Sequence, residues 1–272
     1  MAAKISSEVT NLRVSCRYLL TALVRQGAQV AQALNLLVAP HRQEGDEEPG
    51  FLASIVALGR RLGASMDQLV EADKKVYALN ASLMALRNLR NDLTSALASE
   101  IVRLRRLILA HYVAPLILGL GLHSPRGRVA DVLLRQIEMI AESFRRDDLA
   151  TMLGLKAVED DPVDPHKSVA SAIATGEKLQ ATLDQIDETQ RDLDAAIIEK
   201  DRLKAEHGEV FVYTARDFES KCRLAGMREL AAKVRPSERQ PGRREVEEGE
   251  NPPPPTPEPE EPEAVNEEGT EP

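Results

Sequence analysis

Five histidines (His41, His111, His123, His166 and His207) and two cysteines (Cys16 and Cys222) are the side chains of this 272-residue chain best suited to hold a metal or act as a nucleophile. Their spacing argues against both roles. No Glu-x-x-His occurs, and no two histidines stand at the three- or four-residue spacing that puts two ligands on one helical face, so a carboxylate-bridged di-metal site has no donor set. Cys16 falls on an apolar helical stripe, where a thiol packs as a small core residue. Gly119-Leu120-Gly121 lacks the third glycine, the preceding strand and the Lys-Ser/Thr ending that give a phosphate its backbone donors and its cation. Ser124 has no Gly-x-Ser-x-Gly elbow around it. The expectation is a protein that is not an enzyme and has no cofactor or metal.

Two other groups of residues carry chemistry of a weaker kind. His111, Tyr112 and His123 interrupt the apolar stretch 107–122, and together are the candidate lining of a small-ligand pocket between helices. That stretch is shorter than the roughly 20 apolar residues a membrane span needs and contains Pro115, so it reads as a buried helix end and turn. Arg87, Arg90, Arg103, Arg105 and Arg106 form a candidate basic patch able to neutralise phosphates. Their surroundings argue against nucleic acid. The net charge of −9 belongs entirely to residues 236–272, which hold 12 Glu and 3 Arg, leaving 32 acidic and 32 basic groups in the rest of the chain. No aromatic residues interleave with the arginines to stack bases.

What must position these residues is a set of helices. Aromatics are only 3% of the chain and Trp is absent, which favours close-packed helices over a sheet. The organising stretch is 69–107. Leu69, Val76, Leu83, Leu97 and Leu104 form one heptad line and Ala72, Leu79, Leu86, Leu93 and Leu107 the other, with Arg90 and Glu100 interrupting. From Leu97 onward a second line, Ile101, Leu104 and Ile108, fits equally well, so the seam drifts or contains a stutter.

Before that stretch, the spacing predicts a helix from Glu8 to Val38, capped by Ser6 or Ser7 and stopped at Pro40. Its stripe is Ile5, Val9, Leu12, Cys16, Leu19, Leu23, Val30, Ala33 and Leu37. A short helix over 51–62 follows, with Gly63 and Ser65 as stop and next cap. After it come a helix over 129–153 with Val129, Leu133, Ile137, Ile140 and Phe144 inward, and a second long helix from His166. That helix's seam is Val169, Ala172, Leu179, Leu183, Ile186, Leu193 and Ile197. Val210-Phe211-Val212-Tyr213 is briefly strand-like, and Gly208 is a candidate kink in a helix running to Val234. The tail 236–272 holds 10 of the 16 prolines and reads as disordered, with residues from Ser237 onward burying almost nothing.

Ala72-Asp73, Tyr112, Leu120-Gly121-Leu122 and Ser124-Pro125 resemble landmarks of a family of uncharacterised bacterial helical proteins. So do Leu224-Ala225-Gly226-Met227-Arg228-Glu229-Leu230-Ala231, Val234-Arg235-Pro236-Ser237 and Arg239-Gln240-Pro241-Gly242. The resemblance implies a two-part helical bundle and no activity. The expected architecture is therefore an all-α, elongated antiparallel bundle. It has an N-terminal amphipathic helix (1–39), a helical body (51–235, long helices near 66–112 and 166–207) and a Pro/Glu-rich tail (236–272). The expected role is a non-enzymatic scaffold or protein-interaction module, with weak homodimerisation; a ligand-binding regulator or enzyme with its pocket at His111, Tyr112 and His123 is the alternative. With two cysteines and no apolar leader at residues 1–7, a cytoplasmic location is expected.

Overall fold

The computed structural model of the chain describes residues 5–43, 47, 49–111, 120, 122, 129–145, 165–237 and 242. They form an all-α protein: α1 (Ser7–Val38), a single 3-10 turn (Ala39–His41), α2 (Phe51–His111), α3 (Ala130–Phe144), α4 (Pro165–Leu224) and α5 (Arg228–Val234). Ser6 caps α1 by accepting from the Val9 amide, and Pro40 ends it, as its sequence implies.

The axis is the antiparallel pair α2–α4, of 61 and 60 residues. Four cross-pair contacts fix its register: Ser65 with His207, Asp73 with Lys200, Arg87 with Gln190 and Glu100 with Thr175. The contacts advance along α2 as they retreat along α4, as an antiparallel pair requires. α1 lies antiparallel to α2 and covers its first half. Leu20 and Leu23 approach Gly59, and Gly27 meets Ile55 so closely that a methyl group on Gly27 would lie 2.9 Å from Ile55 Cγ2. α3 covers the other end, with Ile137 and Leu134 over Gly176.

Two cores result. The first joins α1, the start of α2, the end of α4 and α5, through Leu19, Leu23, Ile55, Leu62, Leu69, Phe211, Phe218 and Val234. The second joins the end of α2, α3 and the start of α4, through Leu97, Ile101, Leu104, Ile108, Leu133, Ile140, Ala172 and Leu179. Between them α2 and α4 run as a bare two-helix neck. Leu83 on α2, and Leu193 with Ala196 on α4, are the buried apolar residues there.

Several expectations are corrected. α2 does not stop at Gly63: Leu62 and Met66 are both buried, and their packing carries the helix through a glycine that costs about 1 kcal/mol. The heptad lines of α2 hold to Leu86 and then shift. Thr94, Ile101 and Ile108 are buried while Leu93 and Leu107 are half-buried, so the second of the two readings is the one the fold uses. Steps of four from Leu86 through Arg90 to Thr94 are the stutter that makes the shift. On α1 the stripe moves after Gly27 to Ala31 and Leu34, leaving Leu37 exposed. On α4, Ala196 is buried and Ile197 exposed.

α4 is continuous through Gly208, and Val210-Phe211-Val212-Tyr213 is helical, with Phe211, Thr214 and Phe218 buried at helical spacing. The helix ends instead at Gly226, whose φ of 79° only glycine adopts freely. Val129 caps α3 from an exposed position rather than packing inward. The predicted α3 segment beyond Arg145 and most of the tail lie outside the described residues. Of the tail, Pro236 and Gly242 are buried. A methyl group on Gly242 would lie 2.9 Å from Leu12 Cδ2, so the chain returns to the body after α5 instead of leaving it at Ser237.

Candidate functional site

Both cysteines are free and buried in the first core. Burial is the main reason the Cys16 thiol is pushed up to about 12 and the Cys222 thiol to about 11, so both are protonated at neutral pH. Glu8 pairs with Lys204, and Leu12 lies level with His207 and Gly208 across the Gly242 contact, which sets α1 parallel to α4. In that register Cys16 and Cys222 stand ten positions apart, or about 15 Å, beyond the reach of a disulfide.

His207 is fully buried on the α4 seam, with Nδ1 2.9 Å from Ser65 Oγ. Ser65 Oγ donates its one proton to the Leu62 carbonyl, so Nδ1–H donates to Ser65 and Nε2 is the bare ring nitrogen. Nε2 is buried without a hydrogen-bond partner, and burial lowers the pKa to about 4. A neutral ring sealed beneath Leu12 and Gly242 cannot reach a substrate. Among the described residues no group of three or more His, Cys, Asp or Glu is placed to hold a metal ion. No helix among them is long and apolar enough to cross a membrane.

His111 is the last residue of α2, while Tyr112 and His123 lie outside the described residues. In the arginine group, Arg87 donates to Gln190 Oε1 at 3.3 Å and Arg90 donates twice to Asn91 Oδ1. Arg103, Arg105 and Arg106 begin about 24 Å further along α2 and spread around its circumference. They form no single face with the first two.

Asp73 is the polar centre of the fold. Its carboxylate is buried and accepts the Ser6 amide at 2.7 Å and the Ser6 hydroxyl at 3.0 Å, while Lys200 Nζ lies 3.4 Å away. One side chain thus ties the start of α1 to α2 and α4. At the far end of the neck, α3 begins beside a cavity of about 560 Å³ lined by Arg90, Asn91, Thr94, Ser95, Ala130 and Leu183.

These two places are the ends of a groove that the sequence did not reveal. On α4, Gly176 touches α3, Leu183 lines the cavity at the α3 start, and Lys204 pairs with Glu8 of α1. Gly176, Leu183, Gln190, Ile197 and Lys204 are spaced by sevens, so α1 and α3 occupy the same side of α4. On α2, Asp73 meets α1 and Asn91 meets the α3 start, with Tyr77 and Met84 between them at steps of four and seven. The third-helix layer is present at both ends and missing from Asp73 to Asn91, 18 positions or about 27 Å. Tyr77 (43% exposed), Met84 (53%), Ile197 (38%) and Ile198 (71%) lie in that interval. Sequence periodicity ranks each helix's own stripe, and a groove made by the absence of a third helix leaves no mark in it. Compared with protein families, curated proteins and solved structures, the chain matches none.

Proposed function

We propose that the protein is a non-enzymatic helical scaffold that engages a partner protein along the uncovered middle of its α2–α4 pair, a short antiparallel coiled-coil segment. The observation that carries this reading is Tyr77 and Met84 on α2 with Ile197 on α4, exposed on the heptad lines along which α1 and α3 cover the rest of the pair. Large apolar side chains grouped at a step between two covered regions are the usual signature of an interaction surface. The buried, unpaired thiols fit a reducing compartment, and we place the protein in the cytoplasm on that ground.

The test is capture from the native host with immobilised full chain and with Met84→Asp, a substitution at an exposed position outside both cores. Partners retained by the wild type and lost with Met84→Asp support the reading; identical captures, or none, overturn it. The cavity beside Arg90 and Leu183 favours a second reading, a small-ligand-binding regulator. A thermal shift with small carboxylates or phosphates that Arg90→Ala abolishes would support it.

A further inference from the structure

The groove has a floor, two rims and two ends. The floor is apolar at Tyr77, Met84 and Ile197, with Arg87 bridged to Gln190 across it. The α4 rim carries Asp187, Asp194 and Asp201, each seven residues from the next and all exposed. Asp194 accepts a hydrogen bond from Gln190 at 2.9 Å, and none of the three aspartates forms an ion pair among the described residues. Arg191, which shares this stretch, forms no ion pair with any of them. The α2 side offers Asn80, Asn88 and Asn91, and its cation over the groove, Arg87, is engaged by Gln190.

We propose, building on the scaffold reading above, that the groove takes an amphipathic helix of a partner protein bearing lysine or arginine along one edge of its apolar stripe. The length fits: an interval of about 27 Å accepts five turns of helix laid end to end with α1 and α3. The chemistry fits as well. An apolar stripe covers Tyr77, Met84 and Ile197, and a basic edge on the α4 side meets three aspartates at heptad spacing, the pattern that sets partner choice in helix-on-helix recognition. A second copy of this chain, docked through the same face, would set an asparagine row or the same aspartate row against the aspartates and would bring no row of cations to them.

The probe is a fluorescein-labelled 18-residue helical peptide with leucines at heptad positions and lysines flanking them on one side, beside a twin with glutamates in place of the lysines. Fluorescence polarisation is read against the full chain at about 0.1 M salt. The lysine peptide is expected to bind at least tenfold more tightly than the glutamate twin. Asp187→Asn/Asp194→Asn/Asp201→Asn should remove that preference, Met84→Asp should weaken both peptides, and Asp184→Asn/Glu188→Gln on the outer side of α4 should change neither. Equal binding of the two peptides, or indifference to Met84→Asp, overturns the proposal. So does light scattering that shows a wild-type dimer dissolved by Met84→Asp, because a second copy is then the occupant. If the peptides fail while capture from the host still depends on Met84, the scaffold reading stands and the basic-helix partner alone is wrong.

Discussion

Ser6 and Asp73, 67 positions apart in sequence, are joined twice: the backbone amide and the hydroxyl of Ser6 both donate to the Asp73 carboxylate. The serine that caps α1 is itself held by an acid on α2, so local helix signal and tertiary docking meet in one residue. Asp73→Ala removes both acceptors and leaves Lys200, which is mostly buried, without its anion. The expected cost is about 2–4 kcal/mol in urea unfolding. Asp73→Asn keeps an acceptor for the Ser6 amide but loses the charge and the second acceptor, so it should cost less; equal losses for the two variants would place the effect in the charge and the Ser6 hydroxyl bond.

The buried neutral His207 makes stability depend on pH in one direction. Its pKa is about 4 in the fold and 6.5 when exposed, so between those values the unfolded chain binds a proton that the folded chain does not. The contribution is intact above pH 6.5, falls as the pH drops, and is fully lost near pH 4. His207→Gln should flatten the decline of the urea midpoint between pH 6.5 and 4, and parallel declines in the two proteins would show that other groups govern it.

Both thiols should be silent toward iodoacetamide in the native protein at pH 8. The raised pKa values, about 12 and about 11, leave almost no thiolate, and burial blocks access. In 8 M urea both should be alkylated, which mass spectrometry counts directly. Rapid native labelling of either would mean that the first core opens locally.

The shift of the α2 seam predicts an inequality between neighbours. Ile108 is buried and Leu107 only half-buried. Ile108→Ala should cost about 2–4 kcal/mol and Leu107→Ala distinctly less. The reverse order, read from chemical melts, would restore the first heptad reading.

Gly242 ties the end of the described chain to α1 and α4. Its φ of 82° and the nearness of Leu12 make Gly242→Ala unfavourable by about 1–2 kcal/mol. A chain ending at Gly242 should melt with the full-length protein, and one ending at Pro236 at a lower temperature. Identical melting of all three would show that the segment stabilises nothing.

The fold was legible where a helix's own pattern decided it. The span of α1, its cap and its stop follow from Ser6, the stripe through Leu23 and Pro40, and the all-α class follows from composition. Where packing overrides local preference, the sequence misleads: Gly63 reads as a break until Leu62 and Met66 are seen to be buried. Asp73 and His207 carried a faint signal, being polar residues beside or on an apolar seam, and both proved to be buried anchors. The groove carried none, since its existence depends on where α1 and α3 begin relative to each other.

The two cores draw on the chain differently. The second is built from residues 97–179, one continuous stretch, whereas the first needs α1 and the start of α2 together with the end of α4, and its Ser65–His207 contact spans 142 positions. During synthesis the second core has all its parts once Leu179 has emerged. α1 can pair with the start of α2 as soon as both have emerged, but the core they share stays open on one side until Phe211, Phe218 and Cys222 arrive. The first core is thus the last to close, and in that interval the α1–α2 pair is the segment a chaperone would hold.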